Sequence, residues 1–155
     1  MGNLVELERQ LIENRSMKTY EETGLYEEAV DGLFDEKNPD CILSLIKGFK
    51  DETENHEVMF SNLHGIEYFS KTIGLEKYIK MIIPLLKGLQ VDAYDWSETI
   101  YLRLLNNEKS FSLLSESLRT FDSQDKEVIK LITENLIKRN PERFKEKGEI
   151  ILSAL

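Results

Sequence analysis

His56-Glu57-Val58-Met59-Phe60-Ser61-Asn62-Leu63-His64-Gly65-Ile66 decides how this chain is read, because its pattern returns twice. Tyr94-Asp95-Trp96-Ser97-Glu98-Thr99-Ile100-Tyr101-Leu102-Arg103-Leu104 is the second copy, and Lys126-Glu127-Val128-Ile129-Lys130-Leu131-Ile132-Thr133-Glu134-Asn135-Leu136 is the third. Aligning Val58, Trp96 and Val128 brings Ile66, Leu104 and Leu136 into register eight positions later. The offsets are 38 residues (96 − 58) and 32 residues (128 − 96), the length of a helix pair. Repeats of this period describe helical hairpins that stack and present a surface.

The flanking segments are helical too. Leu4, Leu7, Leu11 and Ile12 share a stripe and predict a helix over 3–15. Tyr26, Ala29, Val30, Leu33 and Phe34 predict a second, with Glu27, Glu28, Asp31, Asp35 and Glu36 opposite. Asn38-Pro39-Asp40 reads as a helix start: a capping side chain, a proline at the first position, an acid at the positive end. Ile42, Leu45, Ile46 and Phe49 continue it. The fourth helix carries the first copy to about Lys71, and Gly74 breaks it. A fifth, 75–88, contains Pro84, which removes a backbone hydrogen bond and bends the helix. Further helices are expected over 93–105, over 108–121, from Asp122 or Ser123 to Asn140, and from Pro141 onward with Gly148 as an interruption. No segment alternates as a strand does. The expected fold is all-α: a HEAT-like α-solenoid of about four stacked antiparallel helix pairs, with eight or nine helices. It is expected to be one domain over 1–155, with acidic helices over 1–37, repeat pairs over 38–140 and a capping helix over 141–155.

Composition narrows the function. The 155 residues carry 29 acids and 20 Lys or Arg, for a formal charge of -9. Residues 1–80 hold 17 acids and 9 bases, and residues 81–155 hold 12 and 11. A nucleic-acid partner requires a basic footprint that this balance lacks, and an anionic membrane is disfavoured in the same way. An acidic face suits a basic protein partner. Cys41 is the single cysteine and sits in the apolar run 41–46, so it reads as a small core residue in a reducing, cytoplasmic setting. The first residues do not read as a signal peptide, and the longest apolar run, Met81–Leu86, is too short to span a bilayer.

Chemistry-bearing residues point toward binding. His56, His64 and Glu67 share a helix face, but a metal centre needs three ligands in open geometry and the zinc-protease spacing is absent. No metal or other cofactor is expected. Glu57, Asp95, Glu98 and Glu127 read as a solvated face, because 29 acids supply such pairs by chance. No phosphate-cradling glycine loop and no nucleophile elbow occur, so no catalytic residue is assigned. A helical DNA glycosylase would need a basic groove, and the charge opposes it. Trp96 aligns with Val58 and Val128, which predicts a core position. Tyr94, Asp95, Glu98 and Tyr101 then point outward, and His56, Glu57, Phe60, His64 and Glu67 form the matching outer set of the first copy. Together these nine residues make the expected partner-binding ridge, aromatic and acidic.

The stretch Asp51–Phe69, with its central His56–Ile66 motif, resembles the central segment of small bacterial immunity proteins, in particular immunity protein 30. The likeness runs more loosely through Tyr94–Leu105 and the C-terminal helix pair, and leaves out residues 1–37. The resemblance implies a cytoplasmic bacterial protein of a polymorphic-toxin or contact-dependent inhibition system. Such a protein binds the C-terminal toxin domain of a secreted protein and blocks its active site without catalysis. A monomer or weak dimer is expected. A helical-repeat adaptor with a different protein partner shares every bulk feature and is the alternative.

Overall fold

The computed structural model describes residues 2–155, and among them every regular element is helical, with no strand. The chain forms two compact bodies. One is built from the segment ending at Gly74 together with Leu89–Trp96, the other from Leu75–Gly88 together with Ser97–Leu155.

The first body begins with an antiparallel hairpin of α1 (Gly2–Glu13) and α2 (Tyr20–Asp35). Gln10 donates to the Leu25 carbonyl at 2.8 Å, and Leu7 lies against Gly32, so residue numbers run in opposite directions along the pair. Thr19 caps α2 through the Glu22 amide. Asn38 and Pro39 start the next segment as expected, with the Asn38 side chain accepting from the Asp40 amide at 3.0 Å. That segment is not one continuous helix. A 3-10 turn (Pro39–Cys41) leads into α3 (Ile42–Leu45) and then into a second 3-10 turn (Ile46–Gly48). The tighter winding still buries Cys41, Ile42, Leu45, Ile46 and Phe49.

Asn55 caps α4 (His56–Tyr68), which passes through Phe69 into the short α5 (Ser70–Ile73). Gly74 stops it with φ +90° and ψ 148°, a conformation that any Cβ would strain. The core of this body holds a buried polar chain. The Asn62 amide donates to the Tyr26 hydroxyl at 3.1 Å and to the Leu45 carbonyl at 3.0 Å, and Tyr26 donates to the Gly48 carbonyl at 3.0 Å. Burial pushes the Tyr26 phenol well above its ordinary range, so it stays neutral and donates.

In the second body, α6 (Leu75–Ile82) ends two residues before Pro84 and a 3-10 stretch (Ile83–Leu89) follows, so the helix expected over 75–88 is α-helical only in its first part. Helix α7 (Tyr94–Leu105) supplies its residues from Ser97 onward to this body. Asn107 caps α8 (Glu108–Ser117), which tightens into Leu118–Thr120. Asp122 caps α9 (Ser123–Arg139), and Asn140 with Pro141 opens α10 (Pro141–Ala154). Helices α9 and α10 form an antiparallel hairpin.

Gly148 does not interrupt α10. It is buried within one continuous helix, where an added Cβ would lie 2.6 Å from Ile137 Cδ1 and 2.8 Å from Ile137 Cγ1. The glycine serves close packing of the hairpin, and tertiary contact overrides its weak helix propensity.

Candidate functional site

The repeat register places Ile66, Leu104 and Leu136 inside, and Trp96 with them, whereas Val58 and Val128 at the positions aligned with Trp96 are half-buried. Trp96 is held by an unusual cap. The Asp51 carboxylate, in the loop before α4, accepts from the Asp95 amide at 3.0 Å and the Trp96 amide at 3.3 Å, at the N-terminus of α7. A neighbouring backbone pair reinforces it: the Asp51 amide donates to the Asp92 carbonyl at 2.9 Å. The indole N–H of Trp96 donates to the Lys50 carbonyl at 3.2 Å, so its one polar atom is satisfied at depth. Arg15 ties the same loop down, donating to the Phe49 carbonyl at 3.2 Å and pairing with Asp92 at 2.9 Å.

Asp51 therefore acts as a remote N-cap. Burial pushes its carboxyl above the usual range, the two helix amides pull it down, and the nearby charges of Asp95 and Asp92 push it up again. The net direction is upward.

From this anchor a chain of rings leads outward. Phe49 lies 5.1 Å from Trp96 between ring centroids, Phe60 lies 5.7 Å from Trp96 edge to face, and His64 lies 5.0 Å from Phe60. His56 stacks on Trp96 at 6.2 Å. Phe49 is fully buried, Phe60 is half-buried, and His56 and His64 are exposed, so the cluster runs from the core of the first body to its surface. Glu57 and Asp95 are exposed on this body, and Glu67 and Tyr94 are half-buried there. Seven of the nine expected ridge residues thus belong to one body.

Glu98 and Tyr101 depart from the expectation that they point outward. Tyr101 is fully buried in the second body, with its hydroxyl 2.7 Å from that of Thr133. Thr133 spends its own proton on the Ile129 carbonyl at 2.6 Å, so Tyr101 is the donor to Thr133. Glu98 is 7% exposed and is held by the Arg139 guanidinium through both carboxylate oxygens, with Nη2 3.0 Å from Oε2. Its charge is matched within its own body by Arg139, whose side chain is exposed. Glu127, on α9, is exposed.

Sequence reasoning passed over two other features. Asp51 reads locally as a loop residue, and its helix partners lie 44 and 45 positions away. An aromatic groove between α2 and α4 also went unnoticed, although the exposed Tyr68, four positions after His64, was a local signal for it. No group of three or more His, Cys, Asp or Glu side chains among the described residues could hold a metal ion. No helix among them is long and apolar enough to cross a membrane.

An all-helical chain that brings a buried tryptophan and its ring neighbours up to an acidic helix face has the form of a protein-binding module. The family model described as immunity protein 30 matches residues 13–114, which is 102 of the 155 residues (114 − 13 + 1), and the chain belongs to that family. The matched span takes in α2 and stops within α8. The family region thus starts earlier than residue 38 and leaves out the C-terminal hairpin, contrary to the extent read from the sequence. No curated protein matches the chain, and no solved structure does. Family membership makes this an immunity protein, whose partner is a toxin.

Proposed function

We propose that this protein neutralises its toxin by stoichiometric binding that occludes the toxin's active site, with no chemistry of its own. The partner would be the C-terminal domain of a secreted bacterial protein, met in the cytoplasm by a monomeric inhibitor. The observation that carries this reading is the ring chain from Phe49 through Trp96 and Phe60 to His64, surfacing beside Glu57 and Asp95. A pre-organised aromatic cluster backed by a rigid core loses little freedom on binding, which is the character of an interface hot spot. Acidic groups around it draw in a basic partner. If the toxin is a nuclease, these carboxylates stand where substrate phosphates would sit.

The test is co-purification from the native bacterium with the tagged protein as bait, followed by assay of the captured toxin. A large secreted protein's C-terminal domain at one-to-one stoichiometry, silenced by the bait, is the expected result. Glu57→Lys with Asp95→Lys should weaken that complex at least about tenfold, because like charges then meet across the interface. Undiminished binding by the double variant would move the interface to another face. Capture of ordinary cytosolic proteins alone would support an adaptor instead.

A further inference from the structure

The groove between α2 and α4 in the first body has a volume of about 640 Å³ and is lined by Phe34, Lys37, His64, Gly65, Tyr68, Phe69 and Thr72. Its walls are aromatic. Phe34 lies 5.7 Å from Tyr68 and 5.2 Å from Phe69 between ring centroids. Tyr68 is 52% exposed, so this apolar surface faces solvent. Gly65 forms the floor, and a Cβ there would only just touch the Phe34 ring, at 3.4 Å.

Among the described residues no acid lines the groove itself, but the helix on one side of it is acidic. From Tyr20 to Glu36 the chain carries Glu21, Glu22, Glu27, Glu28, Asp31, Asp35 and Glu36, with no Lys or Arg. Glu27 and Asp31 lie seven and three positions before Phe34, on the same side of α2, and both are exposed. At the groove's other end stand Lys37 and, 5.5 Å from the Tyr68 ring, Lys71. The charge is therefore graded along the groove: Glu27 and Asp31 before Phe34 on α2, Lys37 and Lys71 beyond it.

We propose that this groove receives one apolar side chain, aromatic or large aliphatic, from a basic segment of a partner protein. The flanking lysines or arginines of that segment lie along α2 against Glu27 and Asp31, away from Lys37 and Lys71. The apolar anchor supplies affinity and the charge gradient fixes its direction. Identifying the partner with the toxin rests on the functional reading above. The chemistry of the groove does not, and the experiment is chosen to keep the two apart.

Amide NMR spectra of the full ¹⁵N-labelled chain would be titrated with three short peptides. One has a central tryptophan between two lysines on each side, one replaces the tryptophan with serine, and one replaces the lysines with glutamates. The expected result is saturable shifts centred on Gly65, Tyr68 and Asp31 for the first peptide, with binding about tenfold weaker for each of the others. Tyr68→Ala removes a wall at an exposed position, and Gly65→Ala fills the floor without a clash. Both should fold, as checked by Trp96 fluorescence, and both should weaken the first peptide by several-fold. Equal binding of the serine peptide, or shifts spread evenly over the acidic surface, would overturn the proposal. So would the same shifts appearing with protein concentration alone, which would assign the groove to a second copy. None of these outcomes depends on whether a toxin is found.

Discussion

Replacing Asp51 with alanine should loosen the seat of Trp96, and the size of the effect follows from its geometry. Asp51 accepts two backbone amides at the start of α7, at 3.0 Å and 3.3 Å. Loss of a helix-capping side chain costs about 1–2 kcal/mol. The lower part of that range is favoured by Asp51 being only half-buried, because water can replace one of the lost bonds. Asp51→Asn keeps one acceptor and removes a charge from beside Asp92 and Asp95, so it should stay within about 0.5 kcal/mol of the parent at neutral pH. Urea unfolding followed by the emission of Trp96, the single tryptophan, reads both variants. With an m-value of about 2 kcal/mol/M, alanine should lower the midpoint by roughly 0.5 M.

The pH dependence supplies a second check. Asp51 titrates higher in the folded protein than in the unfolded chain, through burial first and the charges of Asp95 and Asp92 after it. The folded state therefore holds this proton more tightly. Its contribution is complete below the unfolded carboxyl value of about 3.9 and is lost as pH rises through the folded one. The stability of the parent relative to Asp51→Asn should fall across that range. An alanine variant as stable as the parent, or an asparagine variant as damaged as alanine, would refute the remote-cap argument; a difference that grows with pH would instead show that the two amide bonds outweigh burial and the neighbouring charges.

Two further substitutions probe packing in the second body. Gly148→Ala should destabilise by about 1 kcal/mol by thermal or urea unfolding: helix propensity favours alanine by about 1 kcal/mol, while crowding against Ile137 costs about 1–3 kcal/mol. A stabilised variant would mean the hairpin yields freely. Tyr101→Phe should cost about 1 kcal/mol and no more, since Thr133 keeps its bond to the Ile129 carbonyl. A loss several times larger would show that the hydroxyl does more than satisfy itself.

Helix starts were legible because capping is local chemistry. Asn38-Pro39, Asp122 and Asn140-Pro141 each sit within three residues of the amides they serve or the turns they open. The repeat register was legible for the same reason, since burial follows helical period. It also contained the answer for Tyr101, which aligns with Leu63 and Thr133, and all three are buried. Setting Tyr101 outward because Trp96 faces the core hid that, although a phenol needs only one partner to lie inside. The other departures depend on distance along the chain. Glu98 meets Arg139 41 positions away, and Gly148 answers to Ile137 across a hairpin. The groove required knowing that Phe34, a core-stripe residue by periodicity, stops half-buried against Tyr68 on another helix.

The polar chain of Tyr26, Asn62 and Gly48 has an evolutionary consequence. Repeat arrays commonly gain or lose length by copying whole units, because neighbouring units are interchangeable. Here the second and third copies carry Ile100 and Ile132 where the first has Asn62. Deleting the first copy, or putting another in its place, would bring an isoleucine against the buried Tyr26 hydroxyl and strip the Leu45 carbonyl of its amide donor. The first repeat is thus keyed to the helices around it and is not interchangeable with the other two.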